Sequence, residues 1–294
     1  MQLRERVGRG LLLRVRPPGD RRRDTRGRCS VCGAEGRFAF NSWILPPEMR
    51  RDLGDRRLIE AFTARESLFC ATCTSSLRVR RLADVLLEHY AERATTLAEL
   101  VREPGFRSLR VAEINSVGPV HPHLALLPGL SYSEYRADVP PGAKSGGVRS
   151  EDVCSLTYAD DEFDLVLSSD TLEHVAEPDR ALREIERVLK PGGRAVLTVP
   201  AVPSRAASVR RAEPGPDGRP VHLGPPQHHG RGSGPFALVS RKGDLLVYTD
   251  FGSDFADRLR AAGLEPEVHA PSGESDVALV YCGIAGGSSS ILRT

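Results

Sequence analysis

Residues 163–200 read FDLVLSSDTLEHVAEPDRALREIERVLKPGGRAVLTVP, and this block decides the fold. FDLVLSSD is a near-continuous apolar run that ends in small polar residues and a carboxylate. That pattern belongs to a buried parallel strand opening onto a crevice. After Pro178, Ala181, Leu182, Ile185, Val188 and Leu189 recur at three- and four-residue spacing with charges between them, which predicts an amphipathic helix. Pro191-Gly192-Gly193 stops that helix, and RAVLTVP is a second buried strand. The unit is strand, helix, strand, with Asp170 at the carboxyl end of the first strand, where open α/β sheets bind their ligands.

The rest of the composition sets bounds. Apolar residues make up 40% of the 294, enough for a sizeable core. No apolar stretch approaches the length of a membrane span, so no membrane partner is expected. The only apolar run near the start is Leu11-Leu12-Leu13, which does not read as a secretory leader. Four of the six cysteines fall in C-x-x-C pairs, so the expectation is a reducing cytoplasmic setting with metal-bound thiolates rather than disulfides.

Net charge is only +2, but residues 1–28 hold ten Arg against Glu5, Asp20 and Asp24. Such an arm can neutralise nucleic-acid phosphates. Two features favour a plain solvated and flexible leader instead. Lys occurs only at Lys144, Lys190 and Lys242, so Arg is the default cation of the whole chain, and the arm has no interleaved aromatics to stack bases.

Residues 29–76 form the next unit. Cys29-Ser-Val-Cys32 and Cys70-Ala-Thr-Cys73 are separated by 37 residues and provide four thiolates, enough to close a tetrahedral structural zinc site. Metal would replace the apolar core that so small a segment cannot build alone. A four-Cys site leaves no open position for catalysis.

Residues 77–104 predict one long connecting helix, ended by Pro104-Gly105. From residue 105 to 294 strands and helices alternate. LRVAEI ends near Glu113, LSYSEY ends in Glu134, a third strand runs from Val148 to Val153, and the fourth and fifth are 163–170 and 194–200. A helix at 252–262, then EPEVHA and VALVYCGI, completes an α/β doubly wound, mostly parallel sheet with a reversed edge strand. Residues 201–235, rich in Pro, Gly, Arg and His, interrupt it as a long insertion without regular structure.

On Glu113, Glu134, Asp152-Val153, FDLVLSSDTLEHV, and LREIERVLKPGG followed by LTVP, residues 109–200 resemble the core of class I S-adenosylmethionine (SAM)-dependent methyltransferases, particularly their small-molecule group. The Cys-rich module and LVYTDFG…LRAAGLE are similar to a bacterial subset, so the resemblance covers about residues 29–282. It implies a Rossmann-like, seven-stranded sheet.

It also implies roles. Glu134 would accept from both ribose hydroxyls, Asp152 from the adenine amino group, and the Val153 backbone N–H would meet a ring nitrogen. Glu113, Asn115, Ser116 and Gly118 would orient the methionine end, and Ser169 and Asp170 would line the floor where the sulfonium meets its acceptor. The family's first loop carries glycines at alternate positions, whereas this chain has Asn115, Val117 and Pro119 there, with Gly118 out of register. SAM has no pyrophosphate to cradle, and Asn tolerates left-handed backbone. The missing glycines argue against a dinucleotide site.

Methyl transfer needs a nucleophile held in line with the methyl, and often a group to take its proton. The candidates are His229, His228 and Tyr248, then His222, with the insertion acting as a lid. His174 reads as a packing residue at a helix start, and Cys154 and Cys282 as small buried hydrophobes. The expected function is methylation of O or N of a small metabolite, in specialised or sugar metabolism. The alternatives are an RNA methyltransferase gripping its substrate with the zinc module and arm, and a SAM-fold protein that does not transfer methyl.

Overall fold

The computed structural model describes residues 16–217, 219–229, 245–270 and 277–286. Residues 1–15 of the expected arm and residues 218 and 230–235 of the expected insertion lie outside the described residues. Residues 16–28 are not a flexible leader. A 3-10 turn (Pro18–Arg23) leads into β1 (Thr25–Arg28), Arg16 grips Asp24 through two hydrogen bonds of 2.5 and 3.0 Å, and Arg23 stacks on Phe40. Arg16, Arg23 and Arg28 find partners within the chain, at Asp24, Phe40 and Glu99.

β1 pairs antiparallel with β2 (Glu35–Ala39), which pairs with β3 (Phe69–Cys70). Between β2 and β3 lie α1 (Pro47–Leu53) and α2 (Arg56–Glu66), the latter capped by Asp55, whose carboxylate accepts from the Arg57 and Leu58 amides.

The expected single helix over 77–104 is three: α3 (Leu77–Tyr90), α4 (Leu97–Leu100) and α5 (Pro104–Arg107). Local hydrogen bonds explain the breaks. The Glu103 carboxylate accepts from the backbone N–H groups of Glu92, Arg93 and Ala94, and Thr96 caps α4. The Leu97 and Ala98 amides donate to Ser30 and Val31 carbonyls, so the chain turns to meet the first cysteine loop. Pro104 begins a helix rather than ending one, because its missing N–H costs nothing at the first position.

The main sheet has eight strands. In chain order they are β4 (Val111–Ile114), β5 (Leu130–Glu134), β6 (Lys144–Ser145), β7 (Val148–Ser150), β8 (Phe163–Ser169), β9 (Leu189–Thr198), and finally β16 (Leu264–His269) and β17 (Val280–Ala285). Their spatial order is β16-β17-β9-β8-β4-β5-β7-β6. The run from β9 to β7 is parallel, as expected. Three details differ from the sequence reading. The short β6 adds an eighth strand, the third strand stops at Ser150, and β9 begins at Leu189, ahead of the Pro-Gly-Gly. The reversed strand β17 is not at the edge; it inserts between β9 and β16, antiparallel to both.

Period-two alternation sorts the side chains between two layers. Val111, Leu165, Leu167, Val196, Val280 and Cys282 face the side covered by α3 and the cysteine module. Ala112, Val166, Ala195, Leu197 and Tyr281 face α6 (Pro178–Val188) and α7 (Phe255–Ala261). The cysteine module therefore shares a continuous apolar core with the sheet.

The insertion is not structureless where described. β10 (Val209–Arg210) pairs with β15 (Thr249–Asp250), β11 (Ala212–Pro214) with β12 (Pro220–His222), and β13 (His228–His229) with β14 (Leu245–Leu246). Among the described residues no helix is long and apolar enough to cross a membrane.

Candidate active site

Parallel pairing brings the carboxyl ends of β8, β4, β5 and β7 side by side: Ile114 faces Ser168 on one flank and Ser133 on the other, and Glu134 faces Ser150. Asn115, Glu134, Asp152 and Asp170 thus belong to one sheet edge, as the sequence reading required.

Glu113 is fully buried, and its carboxylate turns into its own loop. Oε1 accepts from the Val117 N–H at 2.8 Å, and Oε2 lies 2.5 Å from His121 Nδ1. It shapes the loop rather than presenting itself to a ligand. Asn115 adopts φ +57° and Gly118 φ +61°, so the left-handed turns survive without the alternate glycines. The Asn115 side chain donates to Thr171 Oγ1 at 3.3 Å and accepts from the Tyr135 N–H at 3.4 Å, and Ser116 Oγ accepts from the Gly118 N–H at 3.2 Å.

The half-buried Glu134 carboxylate accepts from the Tyr132 hydroxyl. Asp152 lies in the turn after β7, accepting from the Cys154 N–H at 2.9 Å, with Val153 buried beside it. Its neighbour Glu151 is an internal clasp, bound to Arg149 and to both the N–H and the hydroxyl of Thr157.

Ser169 and Asp170 carry partners that nothing in the sequence pattern announced. Arg65, from α2, donates to Asp170 Oδ1 and Oδ2 at 2.7 Å each; Arg78, from α3, donates to Ser169 and lies 3.2 Å from Asp170; Thr198 adds a hydroxyl at 2.9 Å. Burial alone would raise the Asp170 pKa, but Arg65 and then Arg78 outweigh it and hold the carboxyl well below the ordinary range. Asp170 is a clamped anion here, at φ +48°, rather than a free group or a simple helix cap.

Beyond Asp170, a 3-10 turn (Leu172–His174) presents Glu173 and His174 to the insertion. His229, from β13, meets them: its Nδ1 is 3.7 Å from Glu173 Oε1, and the rings of His174 and His229 pack edge-on at 4.9 Å. His174 is therefore more than the expected packing residue. Burial lowers the His174 pKa, whereas at His229 the Glu173 carboxylate overcomes burial and raises it. His228 shares β13, and Tyr248 is tied to the same turn through its N–H, which donates to the Glu173 carbonyl at 2.7 Å. His222 sits exposed on the β11–β12 hairpin, away from this group. A cavity of about 30 Å³ adjoins His229, lined also by Phe62, Val202, Arg205, Arg211 and Gln227.

The four module cysteines converge. Cys29 and Cys73 sulfurs are 3.7 Å apart, Cys32 and Cys70 sulfurs 3.8 Å, and all four lie within 4.8 Å of one another. Zinc–sulfur bonds of about 2.3 Å at tetrahedral angles put neighbouring sulfurs about 3.8 Å apart, so the cluster has the spacing such an ion requires. The positive-φ glycine Gly33 turns the first pair back on itself, its N–H donating to the Cys29 carbonyl at 2.8 Å. Of the other two, Cys282 is buried as expected, while Cys154 is half-buried, its thiol pushed up to about 11 by burial.

Residues 129–197, from β5 to β9, match the family described as a methyltransferase domain. Over 43 residues the chain is 54% identical to the ubiquinone/menaquinone biosynthesis C-methyltransferase UbiE of Hydrogenovibrio crunogenus, covering 15% of this chain and 17% of that protein. Over 55 residues it is 47% identical to the demethylmenaquinone methyltransferase of Clavibacter sepedonicus, covering 18% and 22%. The chain spans about a fifth of the length of these curated relatives. The 1,6-didemethyltoxoflavin-N1-methyltransferase of Burkholderia thailandensis, solved with 1,6-didemethyltoxoflavin and S-adenosylhomocysteine bound, aligns over 71% of this chain and 79% of its own, at 19% identity and a TM-score of 0.38.

Proposed function

We propose that this protein is a SAM-dependent methyltransferase acting on an oxygen or nitrogen of a small molecule, with a structural zinc ion in its cysteine module. The observation that carries the reading is the row of polar groups at four adjacent parallel strand ends, within and beside the matched block. SAM supplies an electrophilic methyl on its sulfonium. Glu134 offers two acceptor oxygens to the ribose diol, and Asp152 with the Val153 N–H takes the adenine edge. Glu113 acts indirectly, holding the Asn115–Gly118 loop in shape for the methionine end. Ser169 and Asp170 form a floor that the two arginines keep rigid, so the reacting atoms meet a fixed surface.

His229, His228 and Tyr248 are the residues proposed to handle the acceptor, fixing its nucleophilic atom and easing loss of its proton. Zinc in Cys29, Cys32, Cys70 and Cys73 is assigned a structural role, since four thiolates complete its shell. Free thiols and this metal suit a reducing, cytoplasmic setting.

Calorimetry of the folded, zinc-loaded protein with SAM tests the reading. Saturable binding that Glu134→Ala weakens at least tenfold, with an unchanged melting transition, is the expected result. No binding by the intact protein would remove the enzyme reading, and unchanged affinity in the variant would displace β5 from the cofactor.

A further inference from the structure

A second group of metal-binding side chains lies at the sheet edge, apart from the cysteines. Glu173, His174 and His229 each offer one ligand atom, and those atoms lie within 4.8 Å of one another. Glu173 is 0% exposed, and among the described residues neither of its carboxylate oxygens has a hydrogen-bond donor. A buried carboxylate left in that state is costly, and it calls for a cation.

The histidine geometry makes the same demand. His174 Nδ1 lies 2.9 Å from the Leu246 carbonyl oxygen, to which it donates, so its lone pair resides on Nε2. That Nε2 faces Glu173 Oε1 at 3.5 Å, and His229 Nδ1 faces the same oxygen at 3.7 Å. The His174 Nε2 lone pair and the Glu173 oxygen are two acceptors turned toward each other, and they repel unless a positive charge sits between them. Bonds of about 2.1 Å to a tetrahedral ion separate neighbouring nitrogen and oxygen ligands by about 3.4 Å, close to these spacings. The Leu246 carbonyl supplies the outer hydrogen bond that fixes a ligating imidazole.

We infer that Glu173, His174 and His229 form a binding site for a divalent transition cation, distinct from the four-Cys cluster, with a coordination position left open beside the small cavity at His229. Two imidazoles and one carboxylate suit zinc, cobalt, manganese or ferrous iron, and three protein ligands leave room for an exchangeable one. His229 also lines the cavity beside Gln227, which is 6% exposed and whose side-chain oxygen has no donor among the described residues. An oxygen-bearing acceptor, a hydroxyl or carboxylate, is the chemical class such a site would hold. This use of the cation rests on the methyltransferase reading; the cation site itself does not.

The test is metal stoichiometry and cobalt spectroscopy of the full chain. Purified protein with zinc retained in the cysteine cluster is titrated with Co2+, and in parallel with Zn2+ and Mn2+. The expected result is one further equivalent, whose cobalt spectrum lacks thiolate charge-transfer bands. Glu173→Gln, which preserves shape, and His229→Ala should each weaken that equivalent by more than the roughly 100-fold that loss of an outer hydrogen bond costs, leaving the cysteine-bound ion in place. No additional equivalent with any of the three ions, or one retained by both variants, would overturn the site. SAM calorimetry on the same samples separates the two ideas: SAM binding without a further ion sinks this inference alone, and a further ion without SAM binding sinks the methyltransferase reading alone.

Discussion

Arg65 and Asp170 meet fork to fork, each guanidinium Nη 2.7 Å from a separate carboxylate oxygen, across 105 positions of sequence. Arg65 is 1% exposed, and the pair joins α2 of the cysteine module to the tip of β8. Arg78 flanks the same carboxylate and also contacts Glu66 at 3.1 Å, so two cations and two anions form one network. The module is thereby fastened to the edge where the acceptor is proposed to bind.

Replacing Arg65 with Ala strips a partly buried anion, 18% exposed, of its principal partner. The expected loss is about 3 kcal/mol of stability, because the stranded charge costs more than the pair contributes. Urea denaturation with a single baseline-to-baseline transition measures it; a loss below about 0.5 kcal/mol, the level of a surface pair, would mean the network is solvent-screened.

Acid should weaken the same link. Asp170 has its pKa lowered in the folded state, so its contribution is complete above the ordinary carboxylate value near 3.9 and is lost as pH falls through the folded value. Stability of the native protein should fall more steeply than that of Asp170→Asn as the pH drops below about 4. Parallel denaturation curves for the two proteins across that window would contradict the assignment.

Glu113→Ala removes the acceptor of the buried Val117 N–H and the partner of His121. An unsatisfied buried amide costs about 1–3 kcal/mol, and the Asn115–Gly118 loop should lose its fixed shape. The expected readout is a lower melting temperature together with weaker SAM binding. Lowered stability with full SAM affinity would detach the loop from the cofactor.

Cys70→Ser should release the zinc proposed for the four thiolates and unfold the module. Elemental analysis would show the metal lost, and proteolysis should cut within residues 29–73 while the sheet persists. Retention of zinc at the native stoichiometry would overturn the four-thiolate assignment.

Much of this was readable beforehand because its causes are local. The near-continuous apolar run in FDLVLSS and the helical spacing from Ala181 to Val188 are recorded in short windows, and both elements formed as expected. The strand ends carrying Glu134 and Asp170 were placed for the same reason. The long helix over 77–104 failed because its apolar spacing persists through a region where Glu103 and Thr96 hydrogen bonds favour two turns. The eighth strand and the interior position of β17 depend on pairing partners far apart in the chain, which periodicity does not record.

The sequence by itself determined the alternation of strand and helix, the cysteine quartet and the acidic strand tips, since each follows from side-chain spacing along a few turns of backbone. Only the tertiary structure decided that Arg65 and Arg78 belong to Asp170, and that His229 from the insertion meets Glu173 and His174 from the β8 tip. Those pairs are separated by tens of residues and carry no spacing rule. They exist because burial leaves a carboxylate no water to turn to, and folding must then supply its partner from whichever segment packs against it.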